Sequence, residues 1–260
     1  MQPIDKPDEA LAAASPATPG AAPATTASTT ARAPRPKPGE RRVHILQTLA
    51  AMLEAPKSEK ITTAALAARL GVSEAALYRH FASKAQMFEG LIEFIETTLF
   101  GLINQITAHE SNGVLQARAI ALMLLNFPAK NPGMTRVLTC EALVGEHERL
   151  TERVNQMLER VEASLKQCLR LAQTEATATA GADVAGSVQV GNGKVPAAPD
   201  APAVAHHGPM SAPLPAGYDP ALRASLLLSY VIGRWHRYVR SGFARPPAEH
   251  ADAQLLLILQ

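Results

Sequence analysis

ITTAALAARLGVSEAALYRHFASK, residues 61–84, decides the fold. Leu66 and Leu70 lie four apart, on one face of a helix that Thr62 or Thr63 can cap. Gly71 ends that helix, because glycine takes a positive φ at little cost. Val72 plugs the turn, and Ser73 caps a second helix, EAALYRHF, in which Leu77 and Phe81 point inward together. Small Ala67 lets the two helices approach closely. The stretch reads as a helix-turn-helix of about twenty residues.

If Leu77 and Phe81 face inward, helical geometry turns Glu74, Ala75, Tyr78 and Arg79 outward. Such a face suits a DNA major groove. Ala75 can approach base edges or a thymine methyl, and Arg79 can donate to guanine or to phosphate. Tyr78 and His80 can hydrogen-bond phosphate oxygens, and Lys84 adds charge where the next helix begins. Any one of these residues alone would pass for solvated surface. The set, behind a Gly-Val-Ser turn, points to double-stranded DNA.

Upstream, a helix is expected from Glu40 to Ala55, with Val43, Leu46, Leu49, Ala50 and Leu53 on one side. Before it, RAPRPKPGERR (32–42) carries five cations against Glu40 alone. It reads either as a solvated tail or as a basic arm, ending in Arg41 and Arg42, that reaches phosphates or a minor groove. Residues 1–39 and 173–218 are rich in Ala, Pro and Thr and have little to bury, so both are expected to be disordered. That leaves a helix-turn-helix domain at 40–84 and a helical dimerisation and partner-binding domain at 85–260. The fold class is all-α.

Ser83 caps a long helix whose Phe88, Leu91, Ile92, Ile95, Leu99, Leu102 and Ile106 form one stripe. Phe94 projects roughly 120° from its centre, either to pack on the DNA-binding domain or to anchor a protein partner. An apolar helix follows at 114–127. PAKNPG (128–133) should break it, and MTRVLTCEALVGEHERL should resume helix with a kink at Gly145. Val154, Leu158, Val161, Leu165 and Leu169 approach a heptad, as in a coiled coil. Residues 220–243 offer Leu222, Leu226, Tyr230, Trp235, Tyr238 and Val239, more apolar surface than one subunit needs. Two such helices from each of two copies could make a four-helix homodimer interface, the alternative being that they pack within one monomer.

The 260 residues carry a net charge of only +2, which neither demands nor excludes nucleic acid. Cys140 and Cys168 lack metal or redox spacing. No run is long enough for a membrane span, and MQPIDKPDEA lacks the apolar core of a signal peptide, so a cytosolic protein is expected. GEHERL has no second histidine at zincin spacing, GNGK follows no strand, and His206 and His207 stand in low-complexity sequence. No catalytic constellation can be assembled. An enzyme is not expected, nor a cofactor or metal site.

The quoted motif resembles the N-terminal domain of TetR-type regulators. More narrowly, RRVHILQTLAAMLE, SEAALYRHFASK, LIEFIE, KNPGMTRVLT, RVNQMLERVEASLKQCLR and YVRSGFARPP resemble the nucleoid occlusion factors. The resemblance implies a nucleoid-associated homodimer that binds palindromic chromosomal sites and, so bound, restrains the tubulin-like division protein FtsZ. It assigns DNA contacts to Thr62, Thr63, Ser73, Glu74, Ala75, Tyr78, Arg79, His80 and Lys84, with Arg41 and Arg42 beside them. It assigns the FtsZ-facing surface to Phe94, Met123, Lys130 and Asn131. Leu102 and Asn126 depart from the arginine and glycine of that pattern, and Lys130 replaces an arginine. The alternative is a TetR-type repressor released by a small ligand. The nearly all-apolar helix 114–127, with Arg118 and Asn126 only near its ends, argues against a polar inducer.

Overall fold

A computed structural model of the chain describes residues 38–55, 60–186, 214–215 and 217–260. The expected disorder of residues 1–37 and of most of the 173–218 insert lies outside the described residues. Nine α-helices are present among them: α1 Pro38–Met52, α2 Thr63–Leu70, α3 Glu74–Tyr78, α4 Lys84–His109, α5 Gly113–Lys130, α6 Pro132–Leu138, α7 Glu148–Gly186, α8 Pro220–Arg240 and α9 Ala251–Leu259. A short 3-10 turn at Glu141–Leu143 separates α6 from α7.

Helices α1, α2 and α3 form the N-terminal unit, and α4 joins it to the rest by packing on α1. The core of this unit is Ile45, Leu46, Leu49, Leu53, Leu66, Leu77 and Phe81. Val43, expected on the buried side of α1, is 40% exposed, and Ile45 takes its place at 1%. The start of α1 at Pro38 puts proline in the first turn, where its missing N–H costs nothing.

Local signals set the entries to these helices. Thr62 Oγ1 accepts from Ala65 N (3.1 Å) and Ser73 Oγ from Ala76 N (3.3 Å). Ser83 Oγ accepts from Gln86 N (3.2 Å), while Gln86 Oε1 returns to Ala82 N (2.8 Å), a capping box displaced by one residue. Gly71, at φ 64°, closes α2.

α5 is the centre of the larger bundle and packs on α4, α7, α8 and α9. It runs through Pro128 to Lys130, so the expected break at 128 falls instead at Asn131. The proline leaves the Leu124 carbonyl without its usual donor, and Trp235 Nε1 supplies one at 2.9 Å. The stretch 134–150 is also more broken than a single kink at Gly145. Cys140 (φ 59°) and Gly145 (φ 74°) both turn left-handed, and two separate short elements result.

α7 continues to Gly186, fourteen residues into the segment expected to be disordered from 173. Residues 173–186 contain no proline and are rich in alanine, so nothing in them stops a helix already nucleated on the bundle. The contact at its flank is close: a Cβ on Gly113 would sit 2.2 Å from Cys168 O. Val154, Leu158, Val161, Leu165 and Leu169 are all buried within this one chain, and α7 packs on α5, α8 and α4. The heptad seam is therefore consumed by the subunit's own core. On α8, Trp235, Tyr238 and Val239 are buried too, whereas Leu222 and Leu226 remain 69% and 52% exposed. α9, which sequence periodicity does not predict, is held through Arg223, whose guanidinium donates to the Ile258 and Gln260 carbonyls. Burial pushes the Cys168 thiol up to about 11.

Candidate nucleic-acid interface

The orientation of α3 follows from its two anchors. Leu77 and Phe81 are each 1% exposed, while Tyr78, on the other side, is 45% exposed. Glu74, Ala75 and Arg79 are exposed as well. The helix is shorter than expected and ends at Tyr78; Arg79 is its C-cap, and His80 N and Phe81 N both donate to Leu77 O. Tyr78 and Arg79 thus stand at the end of a five-residue helix, and His80 is half-buried in the turn behind them.

The other proposed contacts divide into those left available and those already engaged. The capping hydroxyls of Thr62 and Ser73 use oxygen as acceptor, so each keeps its O–H to donate outward. Thr63 Oγ1 donates to Glu74 Oε2 at 2.6 Å, which ties the start of α2 to the start of α3. Arg41 is half-buried.

Arg42 is engaged differently from a free basic arm. Its Nη1 donates to His80 O at 3.0 Å, and its guanidinium lies 4.2 Å from the Phe81 ring centroid. It braces α1 against the exit of α3.

Lys84 is the clearest departure. Its ammonium is paired with the Glu146 carboxylate and lies 5.7 Å from the Phe88 ring centroid. Its charge is therefore neutralised inside the protein, a partner 62 residues away that no local pattern shows.

The surface assigned to the protein partner is spread over two packed helices, α4 and α5. Phe94 is half-buried on α4, and its carbonyl accepts from Thr98 Oγ1 at 2.8 Å. Met123 is half-buried against the core, and Lys130 is exposed in the last turn of α5, a position favourable for a cation. Asn131 spends its amide on the helix end, Nδ2 donating to Phe127 O at 2.9 Å. The polar residue that counts inside α5 is Gln116, 6% exposed, which the sequence reading overlooks. Its Nε2 donates to Glu110 O at 2.6 Å and so closes the α4–α5 turn.

Sequence reasoning also misses the joint where α6 meets α1. Arg136 on α6 is 4% exposed, and its Nη1 donates to Ala55 O at 2.8 Å, just past the end of α1. Its Nε lies 3.5 Å from Glu141 Oε1, and its guanidinium is 4.9 Å from the Phe243 ring centroid. Close by, Gly133 touches α1 so tightly that a Cβ there would lie 2.0 Å from Ala50 O. A cavity of about 220 Å³ opens at this joint, lined by Met52, Phe88, Lys84, Arg136, Val144 and Glu146 among others.

A three-helix unit with this turn, joined by a long helix to a larger helical bundle, defines a TetR-type regulator. Residues 58–91 match the family described as bacterial regulatory proteins, tetR family, and residues 112–185 match the tetracyclin repressor-like C-terminal domain of the SlmA-like kind. The fold is shared with the fatty acid degradation regulator FadR from Bacillus halodurans (TM-score 0.61, 11% identity, covering 86% of this chain and 97% of that one). It is shared also with the ketosteroid regulator KstR2 of Mycobacterium tuberculosis (TM-score 0.56, 16% identity, 84% and 93%). Within that class the chain belongs to the nucleoid occlusion factor SlmA family. It is 45% identical over 214 residues to the SlmA of Idiomarina loihiensis, covering 82% of this chain and 91% of that protein. With the SlmA of Alteromonas mediterranea it shares 41% over 221 residues (85% and 95%), and with that of Marinomonas sp. 56% over 134 residues (52% and 68%).

Proposed function

We propose that the protein is a nucleoid occlusion factor that works as a homodimer. It binds palindromic duplex sites through α3 and, while bound, restrains assembly of FtsZ over the nucleoid. The observation that carries the DNA half is the orientation of α3: Leu77 and Phe81 anchor inward, and the Arg79 side chain stands exposed with no hydrogen bond or ion pair among the described residues. Tyr78, Ala75, Glu74, Thr62 and Ser73 are exposed along α3 and at the starts of α2 and α3, so they offer groove-reading and phosphate-holding groups beside Arg79.

Dimerisation is supported by the large apolar side chains left uncovered on α7 and α8, Leu171 (37% exposed), Leu222 and Leu226. Two recognition helices related by a two-fold axis match a palindrome. The protein-partner surface rests on Phe94, Met123, Lys130 and Asn131, of which Lys130 is exposed and the other three are half-buried. Among the described residues no helix is long and apolar enough to cross a membrane.

Sedimentation of FtsZ polymers with the purified protein, with and without a palindromic duplex, tests this reading. Less polymer should pellet only when duplex is present. Phe94→Ala should keep duplex binding and lose that effect. Polymer recovery indifferent to the wild-type protein and duplex together would refute the division half.

A further inference from the structure

Lys84 opens α4 directly behind the turn that closes the recognition helix, and Glu146 lies in the loop between the 3-10 turn and α7. Their ion pair therefore ties the helix-turn-helix unit to the bundle. The lysine side chain is 24% exposed and the glutamate 12%. The segment that follows buried Leu143, residues 144–147, has few other anchors. Val144 is 79% exposed. The backbone turns left-handed at Cys140 and Gly145. The amides of Val144 and Glu146 make only short-range bonds, to Glu141 O (3.4 Å) and Leu143 O (3.0 Å). Lys60 Nζ reaches Gly145 O at 3.5 Å, the limit of a hydrogen bond.

We infer that Glu146 is a positioning residue for the DNA contact: it holds Lys84 in the free protein, and a bound duplex takes the ammonium from it. The inference rests on the DNA reading above. A phosphate brought to Lys84 repels the neighbouring carboxylate, so the two anions cannot share the lysine at no cost. Glu146, mostly buried, then loses its counterion, and a buried unpaired carboxylate is strongly unfavourable. It moves to solvent and carries the segment 144–147 with it, while buried Leu143 keeps the 3-10 turn on the bundle. Linkage makes the effect reciprocal: whatever holds the loop closed weakens DNA binding by the same factor that DNA loosens the loop.

The test compares wild type, Glu146→Gln, Glu146→Asp, Lys84→Gln and Arg79→Ala on one specific duplex at two salt concentrations, with amide exchange of residues 140–147 followed in parallel. Glu146→Gln should bind about three- to tenfold more tightly at low salt. That advantage should shrink as salt rises, because screening weakens the pair it removes. Glu146→Asp, which keeps the charge, should return affinity toward wild type. In the wild type, the Val144 and Glu146 amides should exchange faster once duplex is added. In Lys84→Gln they should exchange fast with or without it. Unchanged affinity in Glu146→Gln, with loop exchange indifferent to duplex, overturns the inference; Arg79→Ala weakened in the same experiment would leave the DNA reading standing. Arg79→Ala as tight as wild type would overturn both.

Discussion

The indole N–H of Trp235 donates to the Leu124 carbonyl at 2.9 Å, the carbonyl that Pro128 cannot serve four residues later. Trp235 is fully buried, so this bond both fills the bundle centre and repairs the proline's defect in α5. Trp235→Phe should lose about 1–3 kcal/mol, since it leaves a buried carbonyl unpaired. Thermal unfolding measures that loss. Pro128→Ala, which restores an N–H to the helix, should offset part of it, and a double-mutant cycle should return a non-zero coupling.

Gly133 sets how closely α6 approaches α1. A side chain there meets Ala50 O at 2.0 Å and Leu53 Cβ at 3.1 Å, and neither is the flexible end of a long side chain. Gly133→Ala should destabilise by about 1–3 kcal/mol or more and loosen the joint. Gly101, on the exposed side of α4 with nothing within 4 Å of its would-be Cβ, is the control. Gly101→Ala should be neutral or stabilise by up to about 1 kcal/mol. Urea denaturation of the two variants should separate them in sign.

Arg42 reaches the turn that follows Arg79 through its bond to His80 O, yet the two arginines should fail differently. Arg79→Ala should weaken specific-duplex binding by about 1–3 kcal/mol and leave the melting temperature unchanged. Arg42→Ala removes the bond to His80 O and the contact with Phe81, so it should lower the melting temperature as well as duplex affinity. Arg41→Ala should weaken binding to specific and random duplex alike and flatten its salt dependence, with the melting temperature unchanged. Duplex titrations paired with thermal melts distinguish the three patterns.

The uncovered leucines of α8 bear on assembly. Leu222→Glu with Leu226→Glu should convert a dimer to monomer in sedimentation equilibrium without loss of helicity, because both side chains already face water in the single chain. Specific-duplex affinity should fall with it, since the palindrome is then read one half at a time. A double variant that still sediments as a dimer would move the interface elsewhere.

The helix-turn-helix was legible in the sequence because its determinants are local. Gly71, Val72 and Ser73 act on backbone within a few residues, and the four-residue spacings of Leu66–Leu70 and Leu77–Phe81 settle which faces turn in. The exposure of Tyr78 and Arg79 follows from those anchors without any knowledge of the bundle. What the tertiary structure alone decided are the partners: Lys84 with Glu146, 62 residues apart; Arg136 with Ala55, 81 apart; Trp235 with Leu124, 111 apart. The same holds for the heptad on α7, which periodicity leaves open between a dimer seam and the chain's own core and packing assigns to the core. Periodicity reports that a face must be buried. Which surface buries it, and which charge is neutralised there, depends on how distant helices meet, and that is a property of the packed chain rather than of any window along it.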